Sequence, residues 1–478
     1  MPNRRDIVKG LGSSVALGLA GTRAGLARSG TPPPALRGVD FLTPEMPEGR
    51  RLAMAFNRET RKVPALRAVC RSGDAVREVI NWARDTGKRF AVHSSGHCFA
   101  GHSMHDELVI DTRYLNGIRF DADQKRVTVG ASAFIGHVYE RLAASRQGLG
   151  GGTYGSVCMA GQTLGGGIGY LARSAGLLCD QLEEITVVDA GGRIMRASQD
   201  ENADLFWASR GGGGGSFAIA TEMTFRTKPV PERTIIYLFI AVSFEQARRI
   251  VHDWQLWSSD IGLETTTHLL LSRRSKRQYL VSLTGESALP RKDILHTVQK
   301  LLGPETPIHE NALVDYYAPR GTILLKNWDE ILVPVDFISK SDYVGEPVPA
   351  SVIDDLLEAL ERHPPGAVKL TFEALGGAVR DMGGHETAYP HRAASYLVEY
   401  RSEFRNVFQK QQYRTAMDEV RAVMKPHATG GVYVNYPYPD LENWAEAYWG
   451  ANLSRLMEVK RKWDPDNLFR HAQSVPTG

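Results

Sequence analysis

The sequence predicts an α+β fold in two regions, and three observations carry that reading. A chain of 478 residues, 42% hydrophobic and 23% charged, has ordinary globular composition and is too long for one small core. Its runs of three or more glycines all lie before Pro229-Val-Pro231. From 231 to 425, alternating strands are separated by amphipathic helices, the pattern of an antiparallel sheet backed by helices.

Taken in order, residues 1–27 read as a twin-arginine export signal. Arg4-Arg5 precede a short, weakly apolar run from Gly10 to Gly21 and the small-residue stretch Ala24-Gly-Leu-Ala27. That run is shorter than the roughly 20 residues that span a bilayer, so no membrane anchor is expected. Residues 28–60, with Pro32-Pro-Pro34, Pro44 and Pro47, read as an extended leader. Leu66–Val69 is a strand. Asp74–Thr86 is a helix, with Val76, Val79, Ile80 and Ala83 on one stripe and Gly87 as its stop. Phe90–Val92, Leu108–Asp111, Arg126–Val129 and Ile185–Asp189 are further strands, and Phe134–Ala144 is a helix. In the second region Ile235–Val242 and Thr267–Leu271 are strands, with helices at Phe244–Trp257 and Val352–Arg362. The last 50 residues read as an aromatic strand through Tyr433–Tyr436 followed by a long helix.

Charge and cysteine content exclude some functions. Of 57 basic and 54 acidic side chains, four and one fall in residues 1–27, so the remainder is neutral. It has no electrostatic footprint for nucleic acid or an anionic membrane. Cys70, Cys98, Cys158 and Cys179 show no paired spacing, which argues against zinc. One or two disulfides can form among them in an oxidising compartment.

The strand Phe90–Val92 delivers the run His93-Ser-Ser-Gly-His-Cys-Phe-Ala-Gly101, and a second glycine-rich stretch extends from Gly150 to Gly169. Small residues after a strand free backbone N–H groups for a phosphate. Two such loops, one carrying a histidine, suggest a large phosphate-bearing cofactor held between them. His97 has three readings: a covalent anchor, a general base, or a metal ligand with His93, His102 and His105. The last lacks carboxylate or cysteine partners at regular spacing. Neither cluster fits G-x-G-x-x-G with an acid about 20 residues on, so a nicotinamide-dependent Rossmann site is not supported.

Four ordered blocks resemble the berberine-bridge-enzyme-like FAD-linked oxidases, within the vanillyl-alcohol-oxidase-type (PCMH-type) flavoprotein fold. His93-Ser-Ser-Gly-His97 is similar to the family's R-S-G-G-H loop. Gly161-Gln-Thr-Leu-Gly-Gly-Gly-Ile-Gly-Tyr-Leu-Ala-Arg173 with Gly176-Leu-Leu-Cys-Asp180 resembles its second glycine segment, and Leu205-Phe-Trp-Ala-Ser-Arg210 with Gly211–Phe217 its third block. Tyr433-Val-Asn-Tyr436, Trp444, Tyr448-Trp-Gly450 and Lys460–Phe469 resemble the terminal signature. The resemblance covers residues 55–478. It implies a two-part FAD-binding domain, residues 61–230 plus the segment 426–478, with a substrate domain inserted at 231–425. It also implies FAD bonded through His97 to the flavin 8α carbon. Around the cofactor it places His93, Ser94, Ser95, Gly96, Gly101, His102, Ser103, Tyr154, Gly161, Thr163, Gly165, Gly166, Gly167, Gly169, Ile219 and Asn435.

Two departures bear on this. The family's arginine before the loop is His93 here, and its first glycine is Ser95. The cysteine that makes a second flavin link in many members falls in register on Tyr154. Cys158 lies four residues later, where the family has glycine, so it is not expected to be a tether.

Oxidation of an alcohol or amine needs a base within reach of the substrate proton while the adjacent carbon gives hydride to the flavin. Tyr436 sits where many family members place a catalytic tyrosine. Glu399, in Tyr396-Leu-Val-Glu-Tyr400, sits where relatives carry an acidic or amide residue. Glu399 is either the base or the group that eases deprotonation of Tyr436, whose ordinary pKa is about 10. Tyr433 is the third candidate, and period two puts it with Asn435 on the face opposite Tyr436. The expectation is an exported bacterial oxidoreductase, periplasmic or secreted, that engages the twin-arginine export machinery. It oxidises a small molecule of sugar or secondary-metabolite type and reduces O2 to H2O2. A dehydrogenase using another acceptor is the alternative. A periplasmic binding protein with structural flavin is the alternative of another class, and retention of Glu399 and Tyr436 argues against it. No metal site is expected.

Overall fold

A computed structural model describes residues 33–52, 55–230, 232–316 and 334–478; the export-signal reading of residues 1–27 lies outside them. The first sheet has the strand order Val39–Leu42, Leu66–Cys70, Leu108–Asp111, Phe90–His93. Its last three strands are parallel, and Val39–Leu42 adds antiparallel at one edge. The segment read as an extended leader thus contributes a strand, and a short helix at Pro47–Leu52. Pro33, Pro34, Pro44 and Pro47 sit outside the paired strand, where a missing N–H costs no ladder bond. The helix Gly73–Asp85 crosses between parallel strands, capped by Ser72, whose side chain accepts from the Ala75 amide. Its buried stripe of Val76, Val79, Ile80 and Ala83 faces the sheet.

A five-stranded antiparallel sheet follows, in the order Ile118–Asp121, Arg126–Gly130, Ile219–Arg226, Leu182–Val188, Ile194–Ser198. The third sheet is seven-stranded and antiparallel, with Leu313–Asp315, Thr234–Ser243, Gln278–Ser287, Thr265–Ser275, Lys369–Ala374, Tyr396–Glu403 and Phe337–Val344 in spatial order. Helices Phe244–Asp260, Arg291–Leu302, Ala350–Glu361 and Val407–Met424 back it. Alternation decides which face they cover. Leu269, Leu271, Leu370, Phe372, Val398 and Tyr400 pack into their core, which sends His268, Thr371, Glu373, Glu399 and Arg401 to the other face.

The C-terminal helices Trp444–Trp449 and Leu453–Trp463 return to the five-stranded region, where Trp449, Leu456 and Trp463 share a core with Leu205, Phe206 and Trp207. Lys460 is fully buried there. Its ammonium donates to Ser216 O, Phe469 O and Asp464 Oδ2 at 2.7, 2.6 and 2.5 Å. Arg173 fastens the glycine segment to the large sheet through Ile261 O and Leu375 O, at 2.6 and 3.1 Å. Residues Leu36–Gly478 form one compact unit.

Candidate active site

A cavity of about 310 Å³ lies between the glycine loops and the polar face of the seven-stranded sheet. The loop after Phe90–His93 supplies Ser94, Ser95, Gly96, His97, His102 and Ser103 to its wall. Tyr154, Gly161, Gly167, Ile219, Tyr433, Asn435, Tyr436 and Glu399 line it as well.

Six of the residues assigned to the cofactor from sequence do not reach this wall, and each has a packing role. His93 is 3% exposed and points into the first sheet beside Asp111, whose carboxylate pairs with Arg67 and Arg113. Burial holds its imidazole down to a pKa of about 4. Gly101 turns the chain with φ +73° against Thr60. Thr163 is buried in a helical turn, its hydroxyl donating to Met159 O at 2.6 Å. Side chains at Gly165, Gly166 and Gly169 would run into Asn435, Tyr389 and the Gly151 backbone respectively. The missing Cβ at these three positions permits close packing of the loop.

The loop around His97 does have the character of a cradle. Gly96 takes φ +81°, and the amides of Gly96 and His97 have no partner among the described residues. A Cβ on Gly161 would stand in open space. His97 packs on Phe56 with ring centroids 4.9 Å apart, and its Nε2 lies 2.7 Å from Ser156 Oγ. That contact fixes the ring and leaves Nδ1 as the unengaged nitrogen. Burial, with the Arg401 cation nearby, lowers the His97 pKa to about 4, so the imidazole is neutral.

Tyr433, Asn435 and Tyr436 do not form a strand. The Tyr436 amide donates to Tyr433 O at 2.9 Å and closes a turn. The opposite-faces expectation therefore fails, and the two tyrosine rings meet edge-on at 5.0 Å. The Tyr433 hydroxyl accepts from the amides of Gly167 and Ile168 and from Asn435 Nδ2, at 3.0, 3.3 and 3.0 Å. Asn435 Nδ2 also donates to Gln162 O at 3.0 Å. These bonds make Tyr433 and Asn435 a clamp on the glycine segment.

Tyr436 is placed differently. Its ring stacks on Phe99 at 5.2 Å, and its hydroxyl donates to Glu373 Oε1 at 2.9 Å. The carboxylate expected beside it, Glu399, instead accepts from Ser339 Oγ at 2.8 Å. Strand register explains the exchange: Glu373 pairs across from His268, one step along the sheet from the Thr371–Glu399 pair. Burial, and then the neighbouring Glu399 carboxylate, push the Glu373 pKa up to about 8. Burial also raises Glu399 and Tyr436. His268 is 7% exposed, its Nε2 has no partner, and burial lowers its pKa to about 3.

The cysteines are all free, so the disulfides allowed by the sequence are absent. Cys158 is 1% exposed and its thiol donates to Ser132 O at 3.2 Å, with burial raising its pKa to about 12. Tyr154 is 53% accessible and faces the cavity. Sequence reasoning missed Glu373, His268, Arg401, Ser156 and His471. The alternation Leu370-Thr-Phe-Glu-Ala374 was the available signal for Glu373, because it turns a lone acid away from the helices. Nothing local marks Ser156.

Residues 64–198 match the FAD binding domain family, and residues 432–476 the berberine and berberine like family. The chain is 30% identical over 410 residues to the uncharacterized FAD-linked oxidoreductase YvdP of Bacillus subtilis, covering 84% of this chain and 90% of that protein. It belongs to the berberine bridge enzyme-like FAD-linked oxidoreductases. The structure of BBE-like 28 from Arabidopsis thaliana matches with a TM-score of 0.82 and 26% identity, over 91% of this chain and 98% of that one. Berberine bridge enzyme from Eschscholzia californica matches with a TM-score of 0.84 and 24% identity, over 91% and 96%. The fold is accordingly that of berberine bridge enzyme, mixed α+β with a PCMH-type FAD-binding arrangement, and FAD is the cofactor of the family. No helix among the described residues is long and apolar enough to cross a membrane.

Proposed function

We propose that this berberine bridge enzyme-like protein is an exported oxidase of small-molecule alcohols or amines, with FAD bonded to His97 and electrons passed to O2. For an alcohol substrate the net reaction turns the carbinol and O2 into the carbonyl compound and H2O2, two electrons and two protons leaving the substrate. The observation that carries the reading is the Tyr436–Glu373 pair, 2.9 Å apart on the cavity wall with a carboxyl pKa of about 8. A general base works best with a pKa near the working pH, and Glu373 has been moved there from the ordinary carboxylate range.

FAD, when bound, supplies the hydride acceptor. Tyr436 takes the substrate proton as its own passes to ionised Glu373, so neither buried group carries an isolated charge. Phe99 stacks on Tyr436 and Phe56 packs on His97, which holds both rings in place. With Nε2 engaged by Ser156 Oγ at 2.7 Å, Nδ1 is the ring nitrogen we assign to the flavin bond. Tyr154 has no thiol and the Cys158 thiol is committed to Ser132 O, so His97 is the sole tether in this reading. The proposed domain division, 61–230 and 426–478 for FAD and 231–425 for substrate, follows the two walls of the cavity. A berberine bridge enzyme variant in complex with (S)-reticuline supports a small-molecule substrate.

A hydrogen-peroxide screen of the purified protein over sugars, alcohols and amines tests the oxidase reading. Peroxide in step with substrate loss is expected. Substrate-dependent flavin bleaching that air does not reverse would make the protein a dehydrogenase using another acceptor.

A further inference from the structure

Arg401 lines the cavity two residues along the strand from Glu399, on the same polar face. Its Nε donates to Glu403 Oε1 at 3.1 Å, and neither Nη meets an acceptor among the described residues. Three rings box the guanidinium, with Phe337, Phe56 and Phe99 at 4.0, 5.4 and 5.9 Å. A planar guanidinium held among aromatic rings keeps its in-plane N–H edge for hydrogen bonding. The side chain is only 12% exposed, so that edge is turned to the cavity and not to bulk water.

Its neighbours do not cancel this cation. Glu403 answers two cations at once, with Lys369 Nζ 2.8 Å from its Oε2 and Arg401 at its Oε1. Against the upward push of burial, these two hold its carboxyl below the ordinary range, so it offers one negative charge to two positive ones. Glu399 and Glu373, the other carboxyls on this face, are pushed up by burial and engaged by Ser339 and Tyr436.

We propose that Arg401 recognises an anionic group of the substrate, its two Nη atoms taking the carboxylate of an alcohol or amine that bears one. The guanidinium fork fits a carboxylate, and one negative charge matches the one unanswered cation. This rests on the reading that the Tyr436–Glu373 pair works on the substrate. Phe99 touches both Tyr436 and Arg401, and the side chains of Glu399 and Arg401 leave the strand about 7 Å apart. The acid group should therefore stand across a flat body, such as a benzene ring, from the reacting carbon.

The test is isothermal titration calorimetry of the holoprotein near neutral pH with 4-(hydroxymethyl)benzoate and its neutral amide, 4-(hydroxymethyl)benzamide. Wild type, Arg401→Gln, Arg401→Leu and Arg401→Lys are compared. The acid should bind wild type about 10–100-fold more tightly than the amide, as a charge-assisted fork does. Arg401→Gln and Arg401→Leu should lose that preference, and Arg401→Lys, which keeps the charge without the fork, should retain part of it. Equal binding of the two probes to wild type, no binding of the acid, or an undiminished preference in the neutral variants would overturn the inference. Loss of flavin from both neutral variants would overturn it too, because a residue that serves the substrate is dispensable for the cofactor. Tight, Arg401-dependent binding of the acid without flavin bleaching would support the subsite and count against the Tyr436–Glu373 reading alone, so the two failures are distinguishable.

Discussion

Replacing Glu373 by Gln separates the two carboxylates that face Tyr436. With a pKa of about 8, only about a tenth of Glu373 is ionised at pH 7, so flavin reduction there should run near a tenth of its high-pH plateau. The rate should rise with pH through about 8, because the working form is the deprotonated one. The substituted amide keeps an acceptor for the Tyr436 hydroxyl but cannot take its proton. The plateau should then fall by about 10²–10⁴-fold, on the order of 3–5 kcal/mol of barrier, and the inflection near pH 8 should vanish. Glu399→Gln should act in the opposite sense. It keeps a partner for Ser339 and removes the carboxylate whose repulsion helps hold the Glu373 pKa up. The profile should move to lower pH, and the rate at pH 7 should rise toward the plateau. The assay is anaerobic stopped-flow bleaching of the flavin by a substrate from the peroxide screen, across pH 6 to 10. Loss of turnover in Glu399→Gln with a wild-type profile in Glu373→Gln would refute the assignment.

Three further outcomes follow from packing and burial. Lys460→Met should cost about 3–5 kcal/mol in urea unfolding, because it leaves Asp464 buried opposite no cation and strips two carbonyls of their donor. Tyr433→Phe should cost about 1–3 kcal/mol by orphaning the Gly167 and Ile168 amides, without moving the pH profile of flavin reduction. The buried imidazoles of His93 and His268 have folded pKa values of about 4 and about 3, below the ordinary 6.5. The unfolded chain therefore binds more protons between those values, so their contribution is complete above pH 6.5 and lost as pH falls toward 4. For His93 that is at most about 3 kcal/mol, seen as a melting temperature that drops between pH 6.5 and 4.5; a flat Tm over that window would contradict it.

The secondary structure was legible wherever a pattern had one reading. The stripe in Gly73–Asp85 and the alternation in Thr265–Ser275 fell within a few residues of their observed bounds. The four-residue stretch from Tyr433 was not legible, because aromatic composition favours strands while the Tyr436-to-Tyr433 bond that closes the turn is a property of the backbone path. The His97 loop stood out because small residues follow an apolar strand. In the second glycine segment the packing role was not legible: a glycine that clears Tyr389 or the Gly151 backbone looks the same in a sequence as one that clears a ligand. Glu373 was missed for the reverse reason. It is a single acid in a strand, and only the register against His268 and the Tyr396–Glu403 strand brings it to Tyr436 rather than Glu399. His471 needed the C-terminal return across the molecule before it could meet His102.

Mass spectrometry of acid-denatured protein tests the central claim most directly. Flavin should stay with the polypeptide, and the peptide carrying His97 should bear the added mass of FAD, while His97→Ala protein releases its flavin free. Flavin lost from the denatured wild type, or found on a peptide with Tyr154 or Cys158 and without His97, would contradict the account.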